Sequence, residues 1–238
     1  ASGDAAVANG VDAINSQIGI TISDNTISGN TASAIKILDG TASIDGVTIS
    51  GNKIGTDITG TTALGNGSHA LNLGSTTGDY TLTNVTVQNN LISGNGGKAI
   101  VLQDNHPSET SGFNIWGNKI GTDVTGLIEI GNVGSLDLGV SDVDMDASVD
   151  TAKRNIIVGA DSETCIQLSS SSYSVIKGNY CGIGADGTTE MPTNIGIQIS
   201  GTGHDNVIGG ITSAEKNLVC ASDSFNINFG LGMSGDGN

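Results

Sequence analysis

A four-residue phrase returns seven times along this chain, and no other feature restricts the fold so tightly. The copies are AIKI (34–37), ALNL (70–73), AIVL (99–102), SLDL (135–138), CIQL (165–168), GIQI (196–199) and NINF (226–229). Their starts lie 36, 29, 36, 30, 31 and 30 residues apart. The second and fourth places are aliphatic or aromatic, and the first and third are mostly small or polar. That alternation is the signature of a strand with one buried face. A strand recurring at this interval buries its apolar side by stacking on its own neighbours, which defines a solenoid.

A second phrase lies between the first: NTISGN (25–30), NKIGTD (52–57), NLISGN (90–95), NKIGTD (118–123), NIIVGA (155–160), NYCGIG (179–184) and NLVCAS (217–222). Taking every second copy, Asn25, Asn90, Asn155 and Asn217 are 65, 65 and 62 residues apart. The repeating unit is therefore two turns. The longer turn carries an insertion such as GTDITGTTALGNGSH (55–69) or GTDVTGLIEIGNVG (121–134). Three residues before most of these asparagines stands another apolar residue: Ile22, Ile49, Val87, Ile115 and Ile176. It marks a third short strand. Three strands per turn, joined at Gly and Asn corners that accept left-handed backbone, give a coil of triangular section. The repeated Asn suits a corner whose amide bonds the next turn. The expectation is all-β: a right-handed parallel β-helix of about seven turns, roughly 34 Å long at ~4.8 Å per turn.

The unbroken repeat argues for one domain over 1–238, with 1–16 an irregular or partial first turn and 231–238 a tail. No stretch has helical periodicity. With 8 basic and 24 acidic residues the formal charge is −16, and Arg154 is the one arginine. Nucleic acid is excluded as a partner, because neutralising phosphates needs clustered cations. A polybasic membrane anchor is excluded likewise, and no apolar run approaches the ~18 residues of a transmembrane segment. The charge reads as solubility and self-repulsion. The chain starts at Ala1 without Met, so a processed protein or an excised domain is expected. A β-helix with uncapped ends exposes strand edges, which predicts a longer parent chain or end-to-end association with other copies. Cys165, Cys181 and Cys220 are expected as three free thiols, with Cys165 outward like Ala34 and Ala99, and Cys181 inward like Ile54 and Ile120. No CxxC pair supports zinc.

The stretches GNKIGTDITGTTALGNG (51–67), GNKIGTDVTG (117–126) and GNYCGIGADGTTEMPTNIGIQISGTGHDNVIGGITSAEKNLV (178–219) resemble the right-handed parallel β-helix repeats of bacterial secreted and cell-surface proteins. Those repeats share their fold with pectate lyases. The resemblance covers roughly residues 17–230 and implies the architecture and an extracellular or cell-surface location. It does not imply one activity, because such repeats serve adhesins, stalks and carbohydrate-active proteins alike.

Enzymes of this fold place their catalytic groups on the outer face of one sheet. Here the outward third places of the tetrads are Lys36, Asn72, Val101, Asp137, Gln167, Gln198 and Asn228. Asn72, Asp137, Gln167, Gln198 and Asn228 are candidates to hydrogen-bond a polysaccharide laid along the axis; a solvated sheet face is the simpler account of the same row. Gly203-His204 lacks the neighbouring Asp pair and Arg-x-Lys of a polygalacturonase-like site. The segment Asp142-Val-Asp144-Met-Asp146 departs from the repeat and has a spacing that suits Ca²⁺. Beside it, Lys153 and Arg154 are candidate bases for a Ca²⁺-dependent polysaccharide lyase. The alternative is a solvated connection with Arg154 neutralising nearby Asp. Asp57, Asp123 and Asp186 recur every second turn, ~10 Å apart, too far to share one ion, and read as turn chemistry. Trp116 is expected outward, and aromatic platforms for sugars are scarce.

Two functions follow as expectations. The favoured one is a non-enzymatic extracellular rod (adhesin, stalk, sheath or filament) that requires no cofactor. The other is a polysaccharide-active protein, a Ca²⁺-dependent lyase or a glycan-binding module, using an outer face.

Overall fold

The computed structural model describes residues 12–16, 19–37, 43–75, 81–104, 111–159, 164–191 and 193–229. Each coil gives one short strand to each of three parallel sheets, the topology of a right-handed parallel β-helix. The first sheet has eight strands: Ile14–Ser16, Ile35–Ile37, Leu71–Ser75, Lys98–Asp104, Gly134–Gly139, Thr164–Ser169, Thr193–Ser200 and Ala221–Phe229. The second sheet has seven, from Thr21–Ser23 to Val207–Ile208, and the third has seven two-residue strands, from Thr26–Ile27 to Leu218–Val219. Successive strands of each sheet come from successive coils, so every ladder bond joins one coil to the next. Most of 1–16 and all of 231–238 lie outside the described residues. Ile14 pairs with Ile35 and starts the first sheet one coil before the first tetrad.

The alternating tetrads resolve into one internal file. Ile35, Leu71, Ile100, Leu136, Ile166, Ile197 and Ile227 are Cα partners in sequence, and all but Ile227 are 2% exposed or less. Ile227, in the last strand, is 43% exposed. The third sheet supplies a parallel file of Ile27, Ile54, Ile92, Ile120, Ile157, Cys181 and Val219. On the second sheet Ile22, Ile49, Val87 and Ile115 stack in turn, and Met145, Ile176 and Ile208 continue the row. Each fully buried aliphatic contributes about 1.5–3 kcal/mol relative to exposure. These files are the main source of cohesion.

The corner asparagines are welded as well as stacked. Asn25, Asn52, Asn90, Asn118, Asn155, Asn179 and Asn217 form a chain in which each backbone N–H and each Nδ2 donates to the Oδ1 of the next. From the second member on, Nδ2 also donates to a carbonyl of the preceding coil, as from Asn90 to Ile49 O at 2.9 Å. A buried amide is stable only when its donors and acceptor are used. Here the next coil uses them, so the ladder fixes register wherever two coils meet. A second ladder, not anticipated from the sequence, runs through Asn30, Asn66, Asn95 and Asn132 at the following corner with the same bonds.

Two expectations about cysteine are overturned. Cys165 and Cys181 form a disulfide with Cα atoms 6.2 Å apart, and Cys220 is the free thiol. Cys165 points inward, as do Ala34, Ala70 and Ala99 at the same tetrad place; all four are fully buried. The reason is geometric. The first place of the tetrad lies near the start of its strand, where the first and second places are both buried, so alternation is broken there and the side chain faces the third sheet, as Cys165 does toward Ile157 and Cys181. Only small groups fit there: a Cβ on the equivalent Gly196 would lie 2.2 Å from Val219 Cγ1.

The two-turn period has its origin on the outside of the third sheet. The outward places there read Thr26, Lys53, Leu91, Lys119, Ile156, Tyr180 and Leu218 in register. After Lys53, Lys119 and Tyr180 come the insertions, each closed by an antiparallel bridge: Thr56 to Ala63, Thr122 to Glu129, Ile183 to Glu190. The insertions reach across the intervening coil and bond each other, Val124 N to Gly60 O at 2.8 Å and Ala185 N to Gly126 O at 2.9 Å. Beneath them Leu91 and Ile156 are each only 6% exposed, although they face away from the main core. Gly60 has φ +76°, and a Cβ there would lie 2.7 Å from Leu91 Cδ2, so glycine lets the loop close onto the leucine. Leu218 occupies the same place in the seventh coil and is 39% exposed.

Candidate functional site

The outward row of the first sheet exists as expected. Lys36, Asn72, Val101, Asp137, Gln167, Gln198 and Asn228 are consecutive Cα partners. The row is not a uniform polar strip. Val101 is buried, and the two charged members are tied to neighbours: Lys36 lies 3.7 Å from Asp12, and Lys98 Nζ lies 2.6 Å from Asp137 Oδ2. Gln198 accepts from Thr164 at 3.4 Å, and Ser169 donates to Asp137 at 3.5 Å. His69 lies near the Lys98–Asp137 pair and accepts from Lys98 N at 3.0 Å. Burial, then the Lys98 charge, lower the His69 pKa, with Asp137 opposing.

The acidic segment lies along a second-sheet strand, Val143–Asp146, with Val143 and Met145 buried and Asp144 and Asp146 turned outward. Asp142 sits at the preceding corner with φ 58°. Each carboxylate accepts a backbone N–H: Asp142 from Gly112 at 3.0 Å, Asp144 from Asp146 and Asp146 from Ser148, both at 2.8 Å. Among the described residues, no group of three His, Cys, Asp or Glu side chains is gathered as a metal would need.

Lys153 and Arg154 are engaged with aromatic rings. Lys153 Nζ stands 3.6 Å over the centre of Trp116, and the Arg154 guanidinium lies 4.2 Å over Tyr180. Arg154 also donates to Gly178 O at 2.8 Å and to the Tyr180 hydroxyl at 3.0 Å. Cation–π contacts of this kind contribute about 0.5–2 kcal/mol each.

The recurring aspartates of the insertions are turn residues, as expected. Asp57 accepts from Thr59 Oγ1, Thr61 N and Thr62 N; Asp123 and Asp186 bond their own loops likewise. The Thr59 hydroxyl leads in pulling Asp57 down to about 2. At Asp123 burial works in the opposite direction, but Thr125 and the loop N–H groups together hold the carboxyl below its usual range. Backbone bonds from Thr189 and Thr188 lower Asp186 further.

One concave feature escaped the sequence reading. Between the corner asparagines and the stacked insertions lies a groove of about 330 Å³, spanning three coils and lined by Gly51, Asn52 and Lys53, Asn89, Asn90 and Leu91, then Gly117, Lys119 and Val124. Its signal was the alternation of Lys with Leu at the place after the ladder Asn.

Comparison with family models, curated proteins and solved structures returned no match. Among the described residues no helix is long and apolar enough to cross a membrane.

Proposed function

We propose that this chain is a non-enzymatic structural module: a stiff β-helical rod of the secreted or cell-surface repeat type, part of an adhesin, stalk, sheath or filament. The observation that carries the reading is the Asn25–Asn217 amide ladder, which runs beside the aliphatic files through seven coils. A structure whose cohesion is spread evenly along one axis resists bending and pulling along that axis. The charge of −16 keeps the sides of such rods apart in solution, and axial contact between copies is the proposed route to a filament. Negative-stain imaging of the purified chain tests the filament form: rods longer than one molecule are expected, and isolated short particles at all concentrations contradict it. The polysaccharide-active alternative rests on Lys153, Arg154 and the Asp142–Asp146 segment. Incubation with acidic polysaccharides and added calcium tests it, by absorbance of unsaturated product at about 235 nm, the usual readout of β-elimination; the structural reading expects no change.

A further inference from the structure

The groove over Leu91 has a counterpart one repeat further along, and the two are finished differently. The counterpart is framed by Gly117-Asn118-Lys119, Arg154-Asn155-Ile156 and Gly178-Asn179-Tyr180, the same ladder places shifted by one two-turn unit. There Arg154 follows the groove, stacks on Tyr180 and bonds Gly178 O, so a built-in cation is satisfied by an aromatic face and a carbonyl. In the groove over Leu91 the residue before the ladder Asn is Asn89, too short to fill it, and the aromatic is replaced by Lys119.

Two ammonium groups therefore flank this groove with no carboxylate in its lining. Lys119 Nζ donates one bond, to Val124 O at 2.5 Å, and keeps two donors. Among the described residues the Lys53 ammonium and the Asn89 amide have no hydrogen-bond or ion-pair partner. Lys36, Lys98 and Lys177 by contrast are each paired with an acid. In a chain of net charge −16, this places two ammonium groups without an acid partner beside an exposed amide donor and above an apolar floor, with the Asp24 carboxylate packed on Gly51 at one end of the groove.

We propose that the groove formed by Lys53, Asn89 and Lys119 over Leu91 binds an oxyanion carried on a small ligand, a carboxylate or sulfate group on a body of about monosaccharide size. The lysines and the amide supply donors to the oxyanion, and Leu91 and Val124 meet the less polar face of its carrier. The volume lies at the small end of ligand sites, about 300–1,000 Å³, and point-charge ammonium groups suit anions without demanding one planar geometry. This site is separate from the outer row of the first sheet and stands independently of the structural role proposed above.

The test is calorimetric or NMR titration of the intact chain at low ionic strength with glucuronate, inorganic sulfate and glucose. Saturable binding of glucuronate or sulfate is expected, with glucose at least tenfold weaker. Binding of both anions supports the site as an oxyanion reader; glucuronate alone adds that the carrier is read too, and sulfate alone that a free oxyanion suffices. Lys53→Met with Lys119→Met is expected to raise the Kd at least tenfold. Asn89→Asp, at an exposed place whose left-handed backbone Asp tolerates, sets a carboxylate in the groove and is expected to abolish binding with an unchanged melting temperature. No saturable anion binding, equal binding of glucose, or anion binding unaffected by Asn89→Asp overturns the proposal.

Discussion

The groove over Leu91 and the groove over Ile156 share one frame, and the differences that change its chemistry are Asn89 against Arg154 and Lys119 against Tyr180. Both are roofed by insertions that bond each other across the intervening coil, and both have an aliphatic floor 6% exposed. Asn89 and Lys119 leave the first open. In the second, Arg154 lies over the Tyr180 ring. The lesson is that the repeat supplies a rigid frame from its ladders and core, with glycine required before the corner Asn in the coils that carry insertions (Gly51, Gly117, Gly178), while the same place in the coils between them, Asn89 and Arg154, decides what the surface presents.

That division can be broken at several depths. The deepest is the shared ladder. Asn90→Ala and Asn155→Ala each leave buried N–H and C=O groups of two neighbouring coils unpaired, at about 1–3 kcal/mol per orphaned group. Denaturant unfolding is expected to show both variants losing about 3 kcal/mol or more, by similar amounts. A large loss at one and none at the other would mean that the frame is not common to the two regions. Reduction of Cys165–Cys181 acts on the second region only, since that bridge has no counterpart among the described residues of the first. For a sequence separation of 16 residues the expected cost is about 3 kcal/mol. Hydrogen exchange should locate the loosening at Ile157, Ile166 and Cys181 rather than at Ile54 and Leu71.

Arg154→Asn sharpens the comparison by giving the second groove the residue of the first. It removes a cation–π contact and two hydrogen bonds, and a loss of about 1–2 kcal/mol is expected, with greater solvent access to Tyr180 in fluorescence quenching. The smallest effect is a pH dependence at the far end of the rod. The Lys177 ammonium, then Thr212, hold Glu215 down to about 2 from an ordinary 4.5. Because the folded value is the lower one, this contribution is complete above about pH 4.5 and is lost as pH falls toward 2. Acid titration of the Glu215→Gln variant should therefore be flatter than that of the parent over that interval, with the two converging below it.

What the sequence made legible follows from what periodicity can report. Alternation within a strand is a local property, so Ile35, Leu71 and Ile100 announce their common file in the sequence itself. The corner asparagines were legible for the same reason, since one residue recurred at one place. The second ladder of Asn30, Asn66, Asn95 and Asn132 was harder to see, because insertions of unequal length separate its members from the first. Cys165 was misplaced because alternation breaks at the start of these strands, where two successive residues, Cys165 and Ile166, are both buried. The groove with Lys53 and Lys119 depends on loops packing against each other outside the coil, which no strand pattern encodes. The outer row and the acidic segment were found by spacing alone. The structure adds that most of their charged members already have backbone or side-chain partners.

The distance along the first sheet tests the stacked coil itself most directly. Spin labels at Lys36 and Gln198, both outward in the same row, are five rungs apart. At ~4.8 Å per rung, a single narrow distribution of backbone separation centred near about 24 Å is expected from pulsed electron resonance. A broad distribution, or a separation that does not grow rung by rung when the second label is moved from Asn72 to Asp137 to Gln198, would contradict the coil.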